Sequence, residues 1–300
     1  MKTNRWLLSS FLILATACGI STPELDGPDD TLDEAEQSLS TTKDTFLIVR
    51  HDYRRCAAPK CGGFWVADLN STMQERYVNS LDFSQSNIPT EVQTKIVAAP
   101  DNALVLWGRW GPKESRYDTR SLLAKRAFLG MPGKTFQPTD KFYSIFPTKI
   151  ACVTTPCANL QTTRLNRTTG HTMATDLDYS AALAPLVDAQ WLISRSYVGQ
   201  TVVAGKIVRK NGHVTVVGRQ VFVEMPDRVA PCAIETEPVC NEGQVAAWER
   251  TDQRCLQASG CTEPHYCALY VPSCDTGYRQ VSWNSGGCTQ YACEPEFLEE

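Results

Sequence analysis

The chain contains 300 residues, of which 42% are hydrophobic and 21% are charged, and its formal net charge is −4 at pH 7. This acidic balance argues against a nucleic-acid-binding protein. It also gives no reason to expect binding to an anionic membrane surface through basic residues. The chain has thirteen cysteines, and whether they form disulfides depends on the redox state of the compartment in which the protein resides.

The first 17 residues predict an export signal, because two basic residues precede an apolar stretch at positions 6–17 that is too short to span a bilayer. Residues 14–18, Leu-Ala-Thr-Ala-Cys, resemble a bacterial lipoprotein box. The resemblance implies a diacylglyceryl thioether on Cys18, attachment to the membrane through that lipid and, since Gly19 follows, an outer-membrane destination. Cleavage by ordinary signal peptidase is the alternative. Lipidation is favoured because setting Cys18 aside leaves twelve cysteines, an even number.

The segment up to residue 43 carries seven acidic residues, no aromatic residue and no base before Lys43. Such a composition cannot bury enough apolar surface to offset the entropy of ordering the chain. Residues 18–43 are therefore predicted to form a disordered acidic tether with a reach on the order of 30 Å.

The middle of the chain contains a repeat with a spacing of 96 residues. The repeated positions are apolar residues, cysteines, a proline and a Leu-Asn pair, with no catalytic set among them. Two tandem domains are predicted, at residues 44–138 and 139–228. The identical pairs are Phe46 and Phe142, Cys56 and Cys152, Cys61 and Cys157, Leu69 and Leu165, Asn70 and Asn166, Thr72 and Thr168, Leu81 and Leu177, Asp82 and Asp178, Ser84 and Ser180, and Pro89 and Pro185.

Each copy is predicted to be a small α+β domain that is mostly β. Alternating or apolar runs predict a strand at 45–53 and another at 141–149, each followed by a cysteine loop and a second extended run. A proline then starts a predicted helix, Pro89 in the first copy and Pro185 in the second. A hairpin closes each copy, and Asn211-Gly212 is the predicted turn of the second.

The two cysteine loops, CAAPKC and CVTTPC, offer two thiols each. A metal site needs about four ligands, and neither loop has a pair of histidines nearby. Disulfides Cys56–Cys61 and Cys152–Cys157 are therefore predicted, and neither a metal nor another cofactor is expected.

The strings RHDYRRCAAPKCGGFWVADLN and IACVTTPCANLQTTRLN, with the closing hairpin VVAGKIVRKNGHVTVVGRQVFVEM, resemble a family of tandem domains of unknown function. The family occurs in secreted lipoproteins of Gram-negative bacteria, and the resemblance covers residues 44–228. The resemblance implies a fold and an exported location but no reaction, because the family has no assigned catalytic residues.

Residues 229–300 form a cysteine-rich tail with a second repeat of about 34 residues. Cys240 matches Cys274, and Trp248 matches Trp283. A half of this size cannot build a sufficient hydrophobic core, so disulfides must stabilise it. The repeat favours two bridges within each half, although the sequence does not choose the pairing. The tail cysteines are Cys232, Cys240, Cys255, Cys261, Cys267, Cys274, Cys288 and Cys293.

One stretch of the tail, CALYVPSCDTGYRQVSWNSGGC, is similar in part to small disulfide-rich protease inhibitors. The similarity is limited to the first cysteine gap and the Gly-Tyr that follows it. It implies a rigid exposed loop that would bind a protease, whereas a stapled spacer or a general binding module is the alternative.

No catalytic residue is predicted. His51-Asp52 would be half of an acid–base pair, but the second copy has Pro-Thr at the same place, so a polar strand end is favoured. No nucleophile elbow, zinc-protease helix or phosphate loop occurs. The recurring aspartates, Asp82 and Asp178, are expected to bond the local backbone.

An aromatic group of the first copy is the predicted binding site. Trp65, Trp107, Trp110 and Arg109 lie in or beside its predicted strands, and aromatic faces with an arginine suit a sugar or peptide surface. Burial of these tryptophans in the core is the alternative.

These features predict a non-enzymatic, surface-tethered envelope lipoprotein that works by binding a glycan, a peptide or another envelope protein. A protease inhibitor acting through the tail is the alternative, and an unrecognised hydrolase is the weaker one. The expected location is the outer membrane or the cell surface, with a periplasmic orientation as the alternative.

Overall fold

The structure is a computed structural model and describes residues 43–72, 74–114, 116–153, 155–168, 170–227, 232–267 and 269–298. These residues belong to one compact unit. The predicted signal peptide, Cys18 and all of the predicted tether except Lys43 lie outside the described residues. Within the described ranges, no helix is long and apolar enough to cross a membrane.

Residues 45–225 contain two successive sets of elements in the same order, and the architecture is mostly β as predicted. The first set is β1 Thr45–His51, β2 Phe64–Asp68, β3 Arg76–Val78, β4 Ser80–Asp82, α1 Thr90–Val97, β5 Leu104–Glu114 and β6 Thr119–Gly130. The second set is β7 Lys141–Pro147, β8 Leu160–Arg164, β9 His171–Ala174, β10 Asp176–Asp178, α2 Ala189–Tyr197, β11 Thr201–Lys210 and β12 His213–Met225.

These twelve strands form one sheet, in the order β3-β2-β1-β5-β6-β12-β11-β7-β8-β9. Two short strands lie off this path: β4 pairs parallel with β6, and β10 pairs parallel with β12. The sheet is continuous across both sets because β6 and β12 pair directly, with Gly130 opposite Phe222 and Ala127 opposite Met225. The two predicted domains therefore share a single sheet, and we call residues 45–225 the sheet domain.

Local sequence explains the closing hairpin of the second set. Asn211 and Gly212 have φ values of +51° and +78°, the left-handed pair that a two-residue hairpin turn requires, so the predicted turn is confirmed. The hairpin contains a bulge between Ala204 and Gly205. A Cβ at Gly205 would lie 2.1 Å from the carbonyl oxygen of Val217, so only glycine fits there.

The two helices begin in different ways. Pro89 immediately precedes α1, close to the predicted start. The second helix begins at Ala189 rather than at Pro185, because the carboxylate of Asp188 accepts hydrogen bonds from the backbone N–H groups of Gln190 and Trp191, at 2.9 and 3.1 Å. The prediction of a helix from Pro185 is therefore wrong by one turn.

The sheet buries apolar side chains on both faces. Leu47 and Val49 of β1 belong to the larger cluster, which also contains Ile96 of α1 and Trp191 of α2. Neighbouring residues of β1 point to the opposite face because side chains alternate along a strand. There they pack against a second cluster, whose buried members are Leu69, Val105, Phe128, Phe142, Leu165, Val202, Ala204 and Phe222.

A reciprocal exchange of asparagine side chains connects the two sets. Asn70 accepts a hydrogen bond from the backbone N–H of Phe142 at 2.9 Å and donates to the carbonyls of Phe142 and Leu165, at 2.8 and 2.9 Å. Asn166 accepts from the N–H of Phe46 at 2.8 Å and donates to the carbonyls of Phe46 and Leu69, at 2.7 and 3.1 Å. We call these six bonds the asparagine exchange.

The asparagine exchange requires a strongly curled sheet. Four strands separate β1 from β7, which would place them about 24 Å apart in a flat sheet. The exchange nevertheless joins the start of each of these strands to the loop that follows β2 or β8. Ring centroids 6.0 Å apart for Phe46 and Phe128, and 6.1 Å apart for Phe142 and Phe222, show that the second cluster fills the inside of the curl.

The tail consists of two hairpins. The first pairs β13 Val245–Arg250 with β14 Leu256–Thr262, and the second pairs β15 Tyr278–Ser285 with β16 Cys288–Pro295. A short 3₁₀ helix, Glu296–Leu298, follows. The bridges are Cys232–Cys255, Cys240–Cys261, Cys267–Cys288 and Cys274–Cys293, so each half of the tail contains two with the same alternating pairing. The cysteine loops contain Cys56–Cys61 and Cys152–Cys157.

The tail packs against the sheet domain. The backbone N–H of Cys293 donates to the carbonyl of Leu186 at 2.9 Å, and the hydroxyl of Tyr278 donates to the carbonyl of Pro132 at 3.2 Å. Leu298 is 4% exposed and belongs to the larger core cluster. The second hairpin is therefore part of the folded body and not a free spacer.

Buried ion pairs cross the same boundary. Arg195 of α2 lies 2.6 Å from the carboxylate of Asp227, and their side chains are 4% and 3% exposed. Arg254 of the tail contacts both Asp227, at 3.5 Å, and Glu294, at 3.4 Å. Glu294 also pairs with Arg250 and Arg279. Desolvated charges of this kind require partners, so tail and sheet domain depend on each other for charge balance.

Candidate ligand-binding site

The predicted binding residue Trp65 is occupied by intramolecular contacts. Its indole N–H donates to Asp52 at 3.2 Å. The guanidinium carbons of Arg54 and Arg50 lie 4.7 and 5.5 Å from its ring centroid, and the ring of Tyr77 packs edge-on at 5.7 Å. Arginines of the same half therefore cover this ring.

Asp52 is the centre of that arrangement. Its carboxylate accepts from Arg54 Nε at 2.9 Å, from the indole of Trp65 and from the backbone N–H of Gly62 at 3.3 Å. The hydrogen bonds from the Arg54 guanidinium lower the pKa of Asp52 to about 2 despite the burial of the carboxylate. A charged carboxylate with several donors is a structural anchor for the first cysteine loop.

Trp107, Arg109 and Trp110 do not form one surface. Trp107 packs on the second cluster, with its ring centroid 6.5 Å from that of Phe46. Trp110 is 6% exposed in the larger cluster, on the opposite face. Arg109 donates to the side-chain carbonyl of Gln85 at 3.2 Å. The structure therefore does not bring the four predicted residues together.

Two of the other polar predictions, those for the recurring aspartates, agree with the structure. Asp82 and Asp178 accept from the backbone N–H groups of Ser84 and Ser180, at 2.8 and 2.9 Å, so both are confirmed as local backbone ligands. The carboxylate of Asp101 contacts the ring Nδ1 of His51 at 3.2 Å and accepts a hydrogen bond from the backbone N–H of His51 at 2.8 Å. Within the described ranges, no three His, Cys, Asp or Glu side chains are arranged to hold a metal ion.

A groove of about 450 Å³ lies between the tail and the segment before α2. Trp248 of β13 and Trp283 of β15 line it, and both rings are partly buried. Leu186 and Asp188 form the wall contributed by the sheet domain, and the remaining lining residues are Glu249, Arg250, Ser285, Gln290 and Ala292. We call this the tryptophan groove.

The two hairpins hold the tryptophan groove rigidly. The backbone N–H of Trp248 donates to the hydroxyl of Ser285 at 2.8 Å, and the N–H of Gly286 donates to the carbonyl of Ala246 at 2.9 Å. The cap of α2 fixes the carboxylate of Asp188. A preformed wall of this kind reduces the ordering that a ligand must impose.

The chemistry of the groove is mixed. Two indole rings offer flat apolar faces, whereas Asp188, Glu249 and Gln290 offer hydrogen-bonding groups. Burial lowers the pKa of the Arg250 guanidinium, and nearby Asp188 opposes this shift. Aromatic faces with a few convergent polar groups are typical of small-molecule sites, whether they bind or catalyse.

Sequence reasoning singled out Trp248 and Trp283 as matching positions of the tail repeat but assigned them no role. The matching positions were the available signal, because equivalent residues of two adjacent repeats lie at equivalent places on neighbouring hairpins. Leu186 and Asp188 gave no such signal, since they precede Trp248 by about 60 residues in the chain.

Comparisons with known proteins identify the sheet domain. Residues 45–225 match the sequence profile of the family described as domain of unknown function DUF6748. The chain belongs to this family. The DUF6748 match begins at the first residue of β1 and ends at the last residue of β12, so the domain is the complete sheet. The tail lies outside it.

The chain is also similar to an uncharacterized protein of Dictyostelium discoideum. The two are 26% identical over 253 residues, which cover 82% of this chain and 85% of that protein. The similarity therefore extends beyond the DUF6748 domain. No solved structure matches the chain. Six disulfides indicate an extracellular or secreted protein.

Proposed function

We propose that the protein is an exported, lipid-anchored and non-enzymatic binding module, and that its tryptophan groove takes a neutral glycan. The single observation that carries this proposal is the pairing of Trp248 and Trp283 in one groove. Sugar rings present apolar C–H faces that stack on indole, and their hydroxyls bond to carboxylates and amides such as those of Asp188 and Gln290.

A glycan array with the purified protein tests the proposal. We expect saturable binding to a neutral oligosaccharide, at least tenfold weaker for Trp248→Ala and for Trp283→Ala and retained by Trp248→Phe, which keeps an aromatic face. The array includes peptides, and envelope extracts are tested in parallel. Binding only to a peptide or a protein, or glycan binding that both alanine variants retain, would overturn the assignment.

Lipid attachment at Cys18 completes the proposal. It is supported by the lipoprotein-like segment at 14–18 and by the pairing of the other twelve cysteines into six disulfides. Metabolic labelling with an alkyne fatty acid in a bacterial host should label the wild-type protein and leave Cys18→Ala unlabelled. A mature protein that starts at residue 18 and carries no acyl mass would contradict it.

The sheet domain is best explained as a duplicated unit. The support consists of the 96-residue spacing, the same order of elements in both sets and the asparagine exchange, in which equivalent residues play equivalent parts. We propose that the two sets are copies of one ancestral domain.

A second candidate function is protease inhibition through the tail. Tyr266 and Leu269 are fully exposed, Tyr270 and Val271 are more than half exposed, and the segment is anchored by Cys267–Cys288 and Cys274–Cys293. An apolar segment held outward by two bridges suits the cleft of a protease that prefers large apolar residues.

Stoichiometric inhibition of a chymotrypsin-like protease is the expected result for this candidate, with loss of inhibition in Leu269→Asp and Tyr270→Asp. Val239→Asp is the matched control, because Val239 is an exposed apolar tail residue outside the loop. Cleavage of the loop as an ordinary substrate would exclude inhibition.

A further inference from the structure

A second cavity lies within the sheet domain, at the boundary between the two sets of elements. It has a volume of about 240 Å³ and is lined by the loop after β4, by β6, and by the segments around β11 and β12. Its polar lining residues include Gln85, Asn87, Lys125, Arg126, Gln200 and Glu224. We call it the polar cleft.

The charges of the polar cleft are already paired. Lys125 donates to Asp44 at 2.6 Å. Arg126 makes two hydrogen bonds to Glu224, at 2.6 and 2.7 Å, and a third to the carbonyl of Gly199 at 2.9 Å. A ligand with a net charge would have to compete with these pairs, so the groups left for recognition are the amides and hydroxyls.

The backbone segments that carry those polar groups are held in place by hydrogen bonds. The backbone N–H of Glu224 donates to the carbonyl of Gln200 at 2.8 Å, which fixes one wall. On the other wall, the hydroxyl of Ser86 donates to the carbonyl of Phe83 at 2.8 Å, and Gln93 donates to the carbonyl of Ile88 at 2.8 Å. Each wall therefore presents amide groups at fixed backbone positions.

One of these amides lacks a partner. The side-chain oxygen of Gln200 is buried and accepts no hydrogen bond from the described residues. A buried acceptor without a donor is unfavourable, and such groups in native proteins call for an explanation. Rotation about the last torsion of glutamine exchanges its oxygen and nitrogen, so either end can turn towards a ligand.

From this geometry we propose that the polar cleft is a second binding site, for a neutral, hydroxyl-rich ligand of the size of one sugar ring. Hydroxyl groups both donate and accept, which matches Gln85 and Asn87 on one wall and Gln200 on the other. The ligand bridges the two sets of elements. The proposal is independent of the tryptophan groove, because the two sites share no residue.

The cleft also explains two residues of the predicted aromatic group. Lys125 Nζ lies 5.4 Å from the ring centroid of Trp107, and Gln85 accepts from Arg109. Trp107 and Arg109 therefore position residues that line the cleft, and neither lines it directly.

Isothermal titration of the purified protein with neutral monosaccharides and polyols tests the proposal, with an acidic sugar and an amino acid as the charged arms. We expect saturable binding of at least one neutral compound, weakened at least tenfold in Asn87→Ala and in Gln200→Ala. Gln190→Ala, an exposed amide on α2 outside the cleft, is the matched control and should bind normally. The melting temperature should rise with ligand in the wild type, because binding to the folded state stabilises it by mass action.

Three results would overturn the proposal of a binding site in the polar cleft. Binding that persists in both cleft variants but is lost in Trp283→Ala belongs to the tryptophan groove and overturns the cleft proposal. Binding restricted to the charged arms, or no saturable binding by any compound in the panel, overturns it as well. Because Asn87 is exposed in a loop, its variant keeps the test valid even if Gln200→Ala fails to fold.

Discussion

Asn70 and Asn166 have the same backbone conformation, φ +59° in each, and each bonds to the strand that begins the other half of the sheet domain. The left-handed conformation is one that asparagine tolerates better than most residues. Its short amide then reaches both an N–H and a C=O of an extended strand. The two equivalent side chains thus accept from the N–H groups of Phe46 and Phe142, which lie just beyond the residues paired with β2 and β8.

The first prediction concerns this exchange. Asn70→Ala should lower the free energy of unfolding by about 3 kcal/mol, because it removes three hydrogen bonds. It also places alanine, which disfavours the left-handed region, at a positive φ. Asn70→Gly separates the two causes, since glycine adopts this φ freely and lacks only the bonds. Urea denaturation measures both, and an unchanged midpoint in Asn70→Ala would show that the exchange contributes nothing.

The second prediction concerns acid stability. Because the folded-state pKa of Asp52 is lowered to about 2 from an ordinary value near 4, its charged form stabilises the fold above about pH 4. That contribution is lost as the pH falls from about 4 towards 2. Asp52→Asn should therefore be less stable than the wild type at pH 7, on the order of 2 kcal/mol, with a smaller difference at pH 2. Asp275→Asn, an exposed carboxylate, is the control, and an equal effect of Asp52→Asn at both pH values would refute the assignment.

The third prediction concerns the attachment of the tail. Asp227→Asn removes the charge that faces Arg195 and Arg254, so it should lower the free energy of unfolding by about 3 kcal/mol or more. It should also speed proteolytic cleavage between the sheet domain and the tail, because the charge pairs cross that boundary. Asp252→Asn, on the tail surface, should match the wild type. Wild-type protease resistance in Asp227→Asn would mean that apolar contacts alone hold the tail.

The fourth prediction compares two disulfides. In the chain-entropy account, a bridge that closes a longer loop stabilises more, about 3 kcal/mol for the 19-residue separation of Cys274–Cys293 and about 2 kcal/mol for the five-residue separation of Cys56–Cys61. Replacing both cysteines of each pair by alanine should therefore destabilise the tail variant more. The difference in stability between the two variants should exceed the difference that chain entropy alone gives. Cys293 is 2% exposed and packs in the core, so its replacement also removes apolar contacts. The reverse order of melting temperatures would contradict this.

The fifth prediction concerns Trp283, whose indole N–H is buried and has no acceptor among the described residues. Trp283→Phe keeps an aromatic ring and removes the unpaired donor, so its stability should equal or exceed that of the wild type. Trp283→Ala should lose stability because it removes a large, partly buried ring. Thermal unfolding distinguishes the variants, and a phenylalanine variant as unstable as the alanine variant would show that the N–H is satisfied by ordered water.

Local features of the fold were predictable from sequence. The Asn211-Gly212 turn and the alternating runs around it predict β11 and β12, because the turn and the strands are set by neighbouring residues. The start of α2 was not predictable from sequence. Pro185 looks like a helix start, whereas Asp188, three residues later, provides the cap. Both residues suit a helix beginning, and the hydrogen bonds that Asp188 accepts from Gln190 and Trp191 place the start at Ala189.

Contacts between repeats were beyond sequence reasoning. A Leu-Asn pair that recurs in two copies is compatible with contacts inside each copy and with contacts between them, so the asparagine exchange required the structure. Within the first set, Trp65 and Trp107 looked available, but Arg50 of β1 and Lys125 of β6, on neighbouring strands, cover them. A residue pattern along one strand does not reveal what the neighbouring strand places over it.

The reciprocity of the asparagine exchange has a consequence for the origin of the fold. One half of the sheet domain carries both a donor asparagine and the strand end that receives one. Two identical short polypeptides would therefore complete each other with the same six bonds and meet along their final strands, giving a symmetric homodimer. On the proposal that the two sets are copies, a tandem chain keeps the halves of such a dimer tethered, so each half can diverge while the exchange is retained.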